Sequence, residues 1–150
     1  KKINKSNYLS VVITNQPVVA KGFLTERELD EIPCFMESLL GKQHAYVDRI
    51  YYCPHHPDRG FMGERIDYKI ECNCRKPKTG MIDRAVKELN INKENSFFIG
   101  DSTADIMAGI NAGLKTILVR TGHMGEDGKY KCKADFVFEN LKEAIDFIVG

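Results

Sequence analysis

The chain has 150 residues, a length that fits one compact domain. Lys and Arg number 22 against 21 Asp and Glu, so the net charge is +1, without the basic excess of a nucleic-acid-binding protein. Hydrophobic residues make up 43% of the chain, which argues against disorder. No apolar run approaches the roughly 20 residues of a membrane span, and no apolar stretch follows the basic first residues as in a secretory signal. We therefore expect a cytoplasmic protein with no membrane and no nucleic-acid partner.

The first predicted elements are a strand and a helix. The β-branched apolar run over 9–14 predicts a strand that is buried on both faces. Thr25 and Glu28 have the spacing of a capping box, so a helix is predicted to begin there and to end near Gly41. Pro33 is expected to interrupt or kink this helix, because proline lacks the backbone N–H that a helix interior needs.

A second strand is predicted over 47–52, and 53–78 is predicted to be an irregular loop. After the loop, helix and strand patterns alternate regularly to the end of the chain. This alternation predicts a doubly wound parallel α/β sheet covered by helices, in one domain over 1–150. The predicted helices are 79–89 with Thr79 as its cap, 104–111 ending at Gly113, and 141–149, and the remaining predicted strands are 96–100, 115–120 and 135–138.

Chemically reactive residues follow three of the predicted strands. Thr14, Cys53 and Asp101 each come at or directly after a strand end. Ligands of an open parallel sheet bind beyond the carboxyl ends of its strands. These residues are therefore expected at one functional edge of the sheet.

Cysteine and histidine residues cluster in the predicted loop. Cys53 and His55 form one pair, and Cys72 and Cys74 form a second pair after an intervening stretch of chain. Three thiolates and one imidazole form a complete tetrahedral zinc set, with no position left open for chemistry, so a structural zinc is predicted. His56 is the alternative imidazole, and a coincidental cluster of free cysteines is the alternative to zinc.

Two carboxylates mark the turn from the predicted strand 96–100 into the next helix. Asp101 and Asp105 lie one helical turn apart and can point to one place, which suits a hard cation such as Mg²⁺. The alternative is that Asp101 and Ser102 only cap the helix.

Two further segments offer groups that bind anions. Thr14 to Gln16 supplies a hydroxyl and amides, and Arg75, Lys76 and Lys78 place cations beside the second cysteine pair. Taken alone, each segment is also compatible with an ordinary solvated turn.

In this order, the motifs resemble those of the haloacid dehalogenase superfamily of phosphohydrolases. The strand that ends in Thr14, the Lys76 of Arg-Lys-Pro and the Gly-Asp-x-x-x-Asp at 100–105 match its second, third and fourth motifs. The closest resemblance is to D-glycero-D-manno-heptose 1,7-bisphosphate phosphatases, with the related histidinol-phosphate phosphatases second. It extends over about 11–149 and rests on Thr-Asn-Gln, Ala-Lys-Gly, Cys-Pro-His-His-Pro, Cys-x-Cys-Arg-Lys-Pro-Lys-x-Gly-Met and Val-Arg-Thr-Gly.

The resemblance implies a Mg²⁺-dependent phosphatase that acts on a sugar bisphosphate through an aspartyl-phosphate intermediate. Removal of the 7-phosphate of the heptose bisphosphate is the expected reaction. A fused or associated nucleotidyltransferase or sugar kinase is left open as a partner. The implied roles are phosphoryl binding by Thr14, charge neutralisation by Lys76, Mg²⁺ binding by Asp101 with support from Asp105, and substrate contact by Asn15, Lys21 and Arg75.

The chain departs from the family in two places. No Asp-x-Asp occurs in its 150 residues, although the family's nucleophile lies in such a motif at the end of a first, central strand. We therefore expect that this strand and its nucleophile are missing from the chain, which would be inactive alone. The second departure is Pro17-Val18-Val19, where the heptose enzymes carry a Gly-containing turn. A catalytically dead phosphate-binding module is the alternative from another functional class.

Overall fold

The computed structural model describes residues 1–150, which form two compact units, Lys1–Arg75 and Lys76–Gly150. Each unit contains parallel strands and at least one helix, as the alternating pattern predicts. No helix in the chain combines the length and the apolar character that crossing a membrane requires.

The first unit contains two parallel strands with a helix between them in sequence. Strand β1 covers Val11–Asn15, helix α1 covers Glu26–Lys42, and strand β2 covers Arg49–Cys53. The strands pair in a register that places Asn15 opposite Cys53. Their carboxyl ends are therefore level, so the loop that follows β2 begins beside the end of β1.

The second unit is a three-stranded parallel sheet with three helices. In sequence it has α2 Gly80–Leu89, β3 Phe97–Gly100, α3 Thr103–Ala112, β4 Lys115–Val119, β5 Phe136–Phe138 and α4 Leu141–Val149. The strand order is β3-β4-β5. Ile117, Val119 and Ala144 are buried at the centre of its core, and phenylalanine rings from β3 and β5 pack against them.

Helix α1 confirms one prediction and corrects another. The Thr25 hydroxyl accepts the N–H of Glu28 at 3.2 Å, and the Glu28 carboxylate accepts the N–H of Thr25 at 2.8 Å, which completes the capping box. Of the two effects expected at Pro33, an interruption or a kink, the interruption does not occur, since the helix is continuous from Glu26 to Lys42. A proline removes one intrahelical hydrogen bond, and the rest of the 17-residue helix keeps its own.

The helix ends of the second unit differ from expectation at one residue. Thr79 precedes α2 as predicted, but its side chain accepts no capping bond. Its hydroxyl instead donates to the Asp83 carboxylate at 2.6 Å. Helix α3 ends as predicted, because Gly113 takes a left-handed conformation with φ 73° and closes the last turn.

Candidate functional site

The four predicted zinc ligands meet at the carboxyl end of β2. The ligand atoms of Cys53, His55, Cys72 and Cys74 all lie within 4.8 Å of one another. The Sγ atoms of Cys53 and Cys74 are 2.8 Å apart, and His55 Nδ1 lies 3.4 Å from Cys74 Sγ. Three sulfurs and one imidazole nitrogen converging on one point are the donor set of a structural zinc site.

The structure distinguishes the two adjacent histidines. His55 lies among the cysteines, whereas His56 points its Nδ1 to the N–H of Asp58, which donates to it at 3.2 Å. Burial lowers the pKa of His56, and the positive charge of Arg75 lowers it further. His55 is therefore the imidazole of the cluster.

The burial of Cys53 indicates that the cluster requires a positive charge beside its thiolates. The Cys53 side chain is fully buried, and this burial raises the pKa of its thiol above the ordinary value, as does its hydrogen bond with Cys74. A buried thiolate is costly without a cation beside it. A zinc ion at this point would supply that charge, so the residues present fit the metal.

The loop of the cluster positions one predicted substrate contact directly. The Arg75 guanidinium donates to the carbonyl oxygen of His55 at 3.2 Å, which ties this cation to the metal-binding segment. The Lys21 ammonium lies 4.6 Å from the centre of the Phe61 ring, within cation–π range. Burial is the main cause that lowers the pKa of His56. The positive charge of Arg75 lowers it further, and that of Lys21 has a smaller effect in the same direction. Two cations of the first unit therefore lie close to one histidine.

The end of β1 lies beside this loop. Thr14 is partly buried, and its hydroxyl accepts a hydrogen bond from the Gln16 amide at 3.2 Å. The N–H of Gln16 donates to the carbonyl oxygen of Cys53 at 2.8 Å. Hydrogen bonding between the strand ends thus holds Thr14 and Asn15 next to the cysteine cluster.

The loop also contains a buried ion pair that sequence patterns did not indicate. The Lys69 side chain is fully buried and lies 3.1 Å from a Glu64 carboxylate oxygen. Lys69 also donates to the carbonyl oxygen of Asp58, and its ammonium lies 4.5 Å from the centre of the Phe61 ring. The pair braces the part of the loop between the two cysteine pairs. No local spacing distinguishes Lys69 from a solvated surface lysine.

In the second unit, the side chains of two predicted site residues, Lys76 and Asp105, meet at the first turn of α3. Lys76 Nζ lies 2.6 Å from Asp105 Oδ1, and both side chains are about nine-tenths buried. Asp105 Oδ2 accepts the Ser102 hydroxyl at 2.6 Å and the Ser102 N–H at 3.1 Å, as in a capping box. Asp105 therefore fixes both the helix start and the ammonium group of Lys76.

Asp101 is held by the loop that follows β4. Its Oδ2 accepts the N–H of His123 at 2.8 Å, and its backbone carbonyl accepts the N–H of Gly125 at 2.7 Å. The His123 bond engages Oδ2, so Oδ1 is the oxygen left for a cation.

Two glycines make the geometry of the carboxylates possible. A Cβ added at Gly122, which has φ +71°, would lie 2.1 Å from Asp101 Oδ2. A Cβ at Gly100 would lie 2.2 Å from Asp105 Cβ. Only glycine lets the backbone approach each carboxylate this closely. Gly122 lies within the Val-Arg-Thr-Gly motif, so its sequence signal was available.

Comparisons with known proteins give consistent results. A family model described as HAD-hydrolase-like matches residues 73–144. The D-glycero-beta-D-manno-heptose-1,7-bisphosphate 7-phosphatase of Haemophilus ducreyi is 38% identical over 151 residues, covering 99% of this chain and 79% of the relative. The D-glycero-alpha-D-manno-heptose-1,7-bisphosphate 7-phosphatase of Campylobacter jejuni is 35% identical over 144 residues, covering 94% of this chain and 72% of the relative.

A solved structure has the same fold along the whole chain. The structure of D,D-heptose 1.7-bisphosphate phosphatase from B. bronchiseptica, complexed with magnesium and phosphate, superposes with a TM-score of 0.82 at 27% identity. The match covers 99% of this chain and 78% of that one.

Proposed function

Because the chain belongs to the heptose-1,7-bisphosphate 7-phosphatase family of haloacid dehalogenase-like hydrolases, we propose that it removes the 7-phosphate of D-glycero-D-manno-heptose 1,7-bisphosphate. The observation that carries this proposal is the likeness to the Haemophilus enzyme over nearly the whole chain. Both alpha and beta enzymes occur among the relatives, so the proposal names the bisphosphate without its anomer.

The second unit supplies charge neutralisation. Asp101 would hold Mg²⁺ through the carboxylate oxygen that His123 does not engage. Mg²⁺ bound there would stabilise the negative charge that develops on the transferring phosphoryl group. Lys76 would add a second positive charge, and Asp105 supports it by holding its ammonium in one place. We therefore propose that Asp105 supports the Mg²⁺ site through Lys76 and the helix start, and not as a second carboxylate on the cation as its spacing from Asp101 indicated.

The first unit supplies binding groups. The Thr14 hydroxyl would bind an oxygen of the transferring phosphoryl group, and Asn15, Lys21 and Arg75 would contact the rest of the substrate. The observed support is that Arg75 is fixed by the carbonyl of His55 and that Thr14 lies at the carboxyl end of β1. A guanidinium and an ammonium suit a second phosphate, which a bisphosphate substrate carries.

None of the residues assigned above is proposed as the nucleophile. Asp101 and Asp105 are committed to the cation and to Lys76, and the 150 residues contain no Asp-x-Asp. We propose that a strand ending in Asp-x-Asp completes the enzyme and forms the aspartyl-phosphate intermediate. A protein that joins such a segment from a relative to the start of this chain is called the joined protein below.

The test of the function is phosphate release by the joined protein. We expect Mg²⁺-dependent release from the heptose 1,7-bisphosphate and much slower release from histidinol phosphate. Asp101→Asn should abolish turnover while leaving the fold and bound zinc unchanged, because an amide replaces the anionic metal ligand. Asp105→Asn should be milder, because an amide oxygen can still accept a hydrogen bond from Lys76. Wild-type turnover in both variants would disprove the assignment.

The cysteine cluster and the proposed reaction also indicate a cellular compartment and a class of partner enzyme. Three clustered cysteines that hold zinc need a reducing compartment, so we propose that the protein acts in the cytoplasm. A sugar kinase supplies phosphorylated sugars and a nucleotidyltransferase uses sugar 1-phosphates. Either enzyme, fused or associated, is the kind of partner that this reaction fits.

A further inference from the structure

The loop between β4 and β5 is attached to the start of α3 at two places. The first attachment is at Asp101, which accepts the N–H of His123 at 2.8 Å and the N–H of Gly125 at 2.7 Å. The second is at Thr103, whose N–H and hydroxyl donate to the two carboxylate oxygens of Asp127 at 2.7 and 3.0 Å. Hydrogen bonds therefore hold the loop both at Asp101 and, two residues later, at Thr103.

The segment between the two attachments is short and internally bonded. The N–H of Glu126 donates to the carbonyl oxygen of His123 at 2.9 Å, which forms a turn over 123–126. Asp127 comes directly after this turn. A shift of Asp127 would therefore move the His123 N–H that fixes the Asp101 carboxylate.

Thr103 is well suited to serve as the anchor. It is buried, and its hydroxyl also accepts the N–H of Tyr130 at 3.2 Å. Burial raises the pKa of Asp127, but the hydrogen bonds from Thr103 outweigh this effect, so that its pKa lies below the ordinary value. At neutral pH Asp127 is thus a carboxylate with both oxygens engaged by one buried residue.

We infer that Asp127 is a positioning residue for the metal site, acting through the His123 N–H to orient the Asp101 carboxylate for its cation. The inference rests on the proposed role of Asp101 as Mg²⁺ ligand. Asp127 itself touches neither Asp101 nor the reacting groups. Partners outside the ligand set commonly affect metal affinity by about 10- to 100-fold, because they fix the orientation of the ligand.

The chain offers a matched control. Asp135 accepts the N–H of Thr116 at 2.7 Å and its hydroxyl at 2.8 Å, both on Oδ2, so it also binds the backbone and the side chain of one buried threonine, through one carboxylate oxygen instead of two. Thr116 lies near the start of β4, and Asp101 follows the end of β3. Asp135→Asn therefore removes the charge of a carboxylate that binds a buried threonine, without touching the loop over 123–126.

The experiment is titration of the 150-residue chain with Mn²⁺, followed by paramagnetic broadening of its amide NMR signals. In the wild type we expect selective broadening of the amides at 102, 103 and 123. Asp127→Asn should raise the Mn²⁺ dissociation constant about tenfold and speed hydrogen exchange of the His123 amide. Asp135→Asn should change neither quantity.

Thr103→Val is the second variant, because it removes the hydroxyl bonds but keeps the N–H that donates to Asp127. We expect an intermediate loss of Mn²⁺ affinity. If Asp127→Asn and Thr103→Val both bind Mn²⁺ like the wild type, the inference is overturned while the role of Asp101 stands. If the wild type shows no selective broadening near Asp101, both the inference and the metal assignment fail.

Discussion

At the scale of single residues, hydrogen bonds from threonine to aspartate recur in the second unit and serve different ends. Asp127 holds Thr103 at the edge where β3 ends, close to Asp101. Asp135 holds Thr116 near the opposite edge, and the N–H of Asp135 donates back to the Thr116 hydroxyl at 3.0 Å. The same chemistry therefore positions a candidate metal ligand in one place and fixes the pairing of β4 with β5 in the other.

Asp135→Asn is predicted to lower stability in a pH-dependent way. The backbone and side-chain bonds from Thr116 lower the pKa of Asp135, so its stabilisation is present above the unfolded value of about 4 and is lost as pH falls through the folded value. At pH 7 we expect a loss of about 0.5–1 kcal/mol in the free energy of unfolding, small because Asp135 is exposed to solvent. The deficit should shrink below about pH 4.

Urea unfolding of both proteins at neutral and acidic pH measures this difference. Asp67→Asn is the control, since it removes the same charge from an exposed turn at 66–68. A deficit that stayed constant down to acidic pH would show that the Asp135 carboxylate is not the source of the stabilisation.

At the scale of elements, the loop over 53–78 is held by chemistry rather than by regular secondary structure. Its only helical piece is the 3₁₀ turn Ile66–Tyr68. Its order comes from the Cys53, His55, Cys72 and Cys74 cluster and from the buried Lys69–Glu64 pair. A structural zinc site contributes directly to folding free energy, so loss of the metal should loosen the whole loop.

Cys74→Ser is the variant that tests this dependence. Elemental analysis should find about one zinc per wild-type chain and less than about half an equivalent in the variant. Limited proteolysis within 53–78 should be faster in the variant, because Arg75 and the loop lose their anchor. Cys34→Ser is the matched control, since Cys34 is exposed and lies outside the cluster. Equal zinc content in wild type and Cys74→Ser would contradict the assignment.

The comparison of these elements with the sequence shows what local patterns can predict. The cysteine and histidine cluster was predictable because its residue types are rare and closely spaced. The capping box of α1 was predictable because it depends on two residues three positions apart. His55 was the imidazole chosen from the sequence, but His56 stayed open as the alternative, because only the fold shows which ring faces the other cysteine pair. Asp127 was missed because its partner Thr103 is far away in sequence, and a lone aspartate in a polar loop has no local pattern.

At the scale of the whole molecule, the proposed set of groups for phosphoryl transfer, Thr14, Lys76 and Asp101, includes no nucleophile. Covalent catalysis needs a carboxylate held in line with the leaving oxygen. Two aspartates of the first unit make hydrogen bonds within the fold. Asp30 accepts the Tyr52 hydroxyl at 2.6 Å, and Asp48 accepts the N–H of Ser10 at 2.7 Å. Asp48 also precedes β2, at the end of the strand pair opposite to Thr14. No carboxylate among these has the position that the chemistry requires.

The last prediction is that the 150-residue chain alone hydrolyses no phosphate ester, while the joined protein does. Strands β1 and β3 each lie at an edge of their sheet, so both have an edge on which a further strand can pair. The measurement is Mg²⁺-dependent phosphate release from the heptose 1,7-bisphosphate by the chain, by the joined protein and by a joined protein in which both aspartates of Asp-x-Asp are replaced by asparagine. Only the second should turn over, because only it combines the nucleophile with Thr14, Lys76 and Asp101. Turnover by the 150-residue chain itself would place the nucleophile among these residues and remove the need for a completing strand.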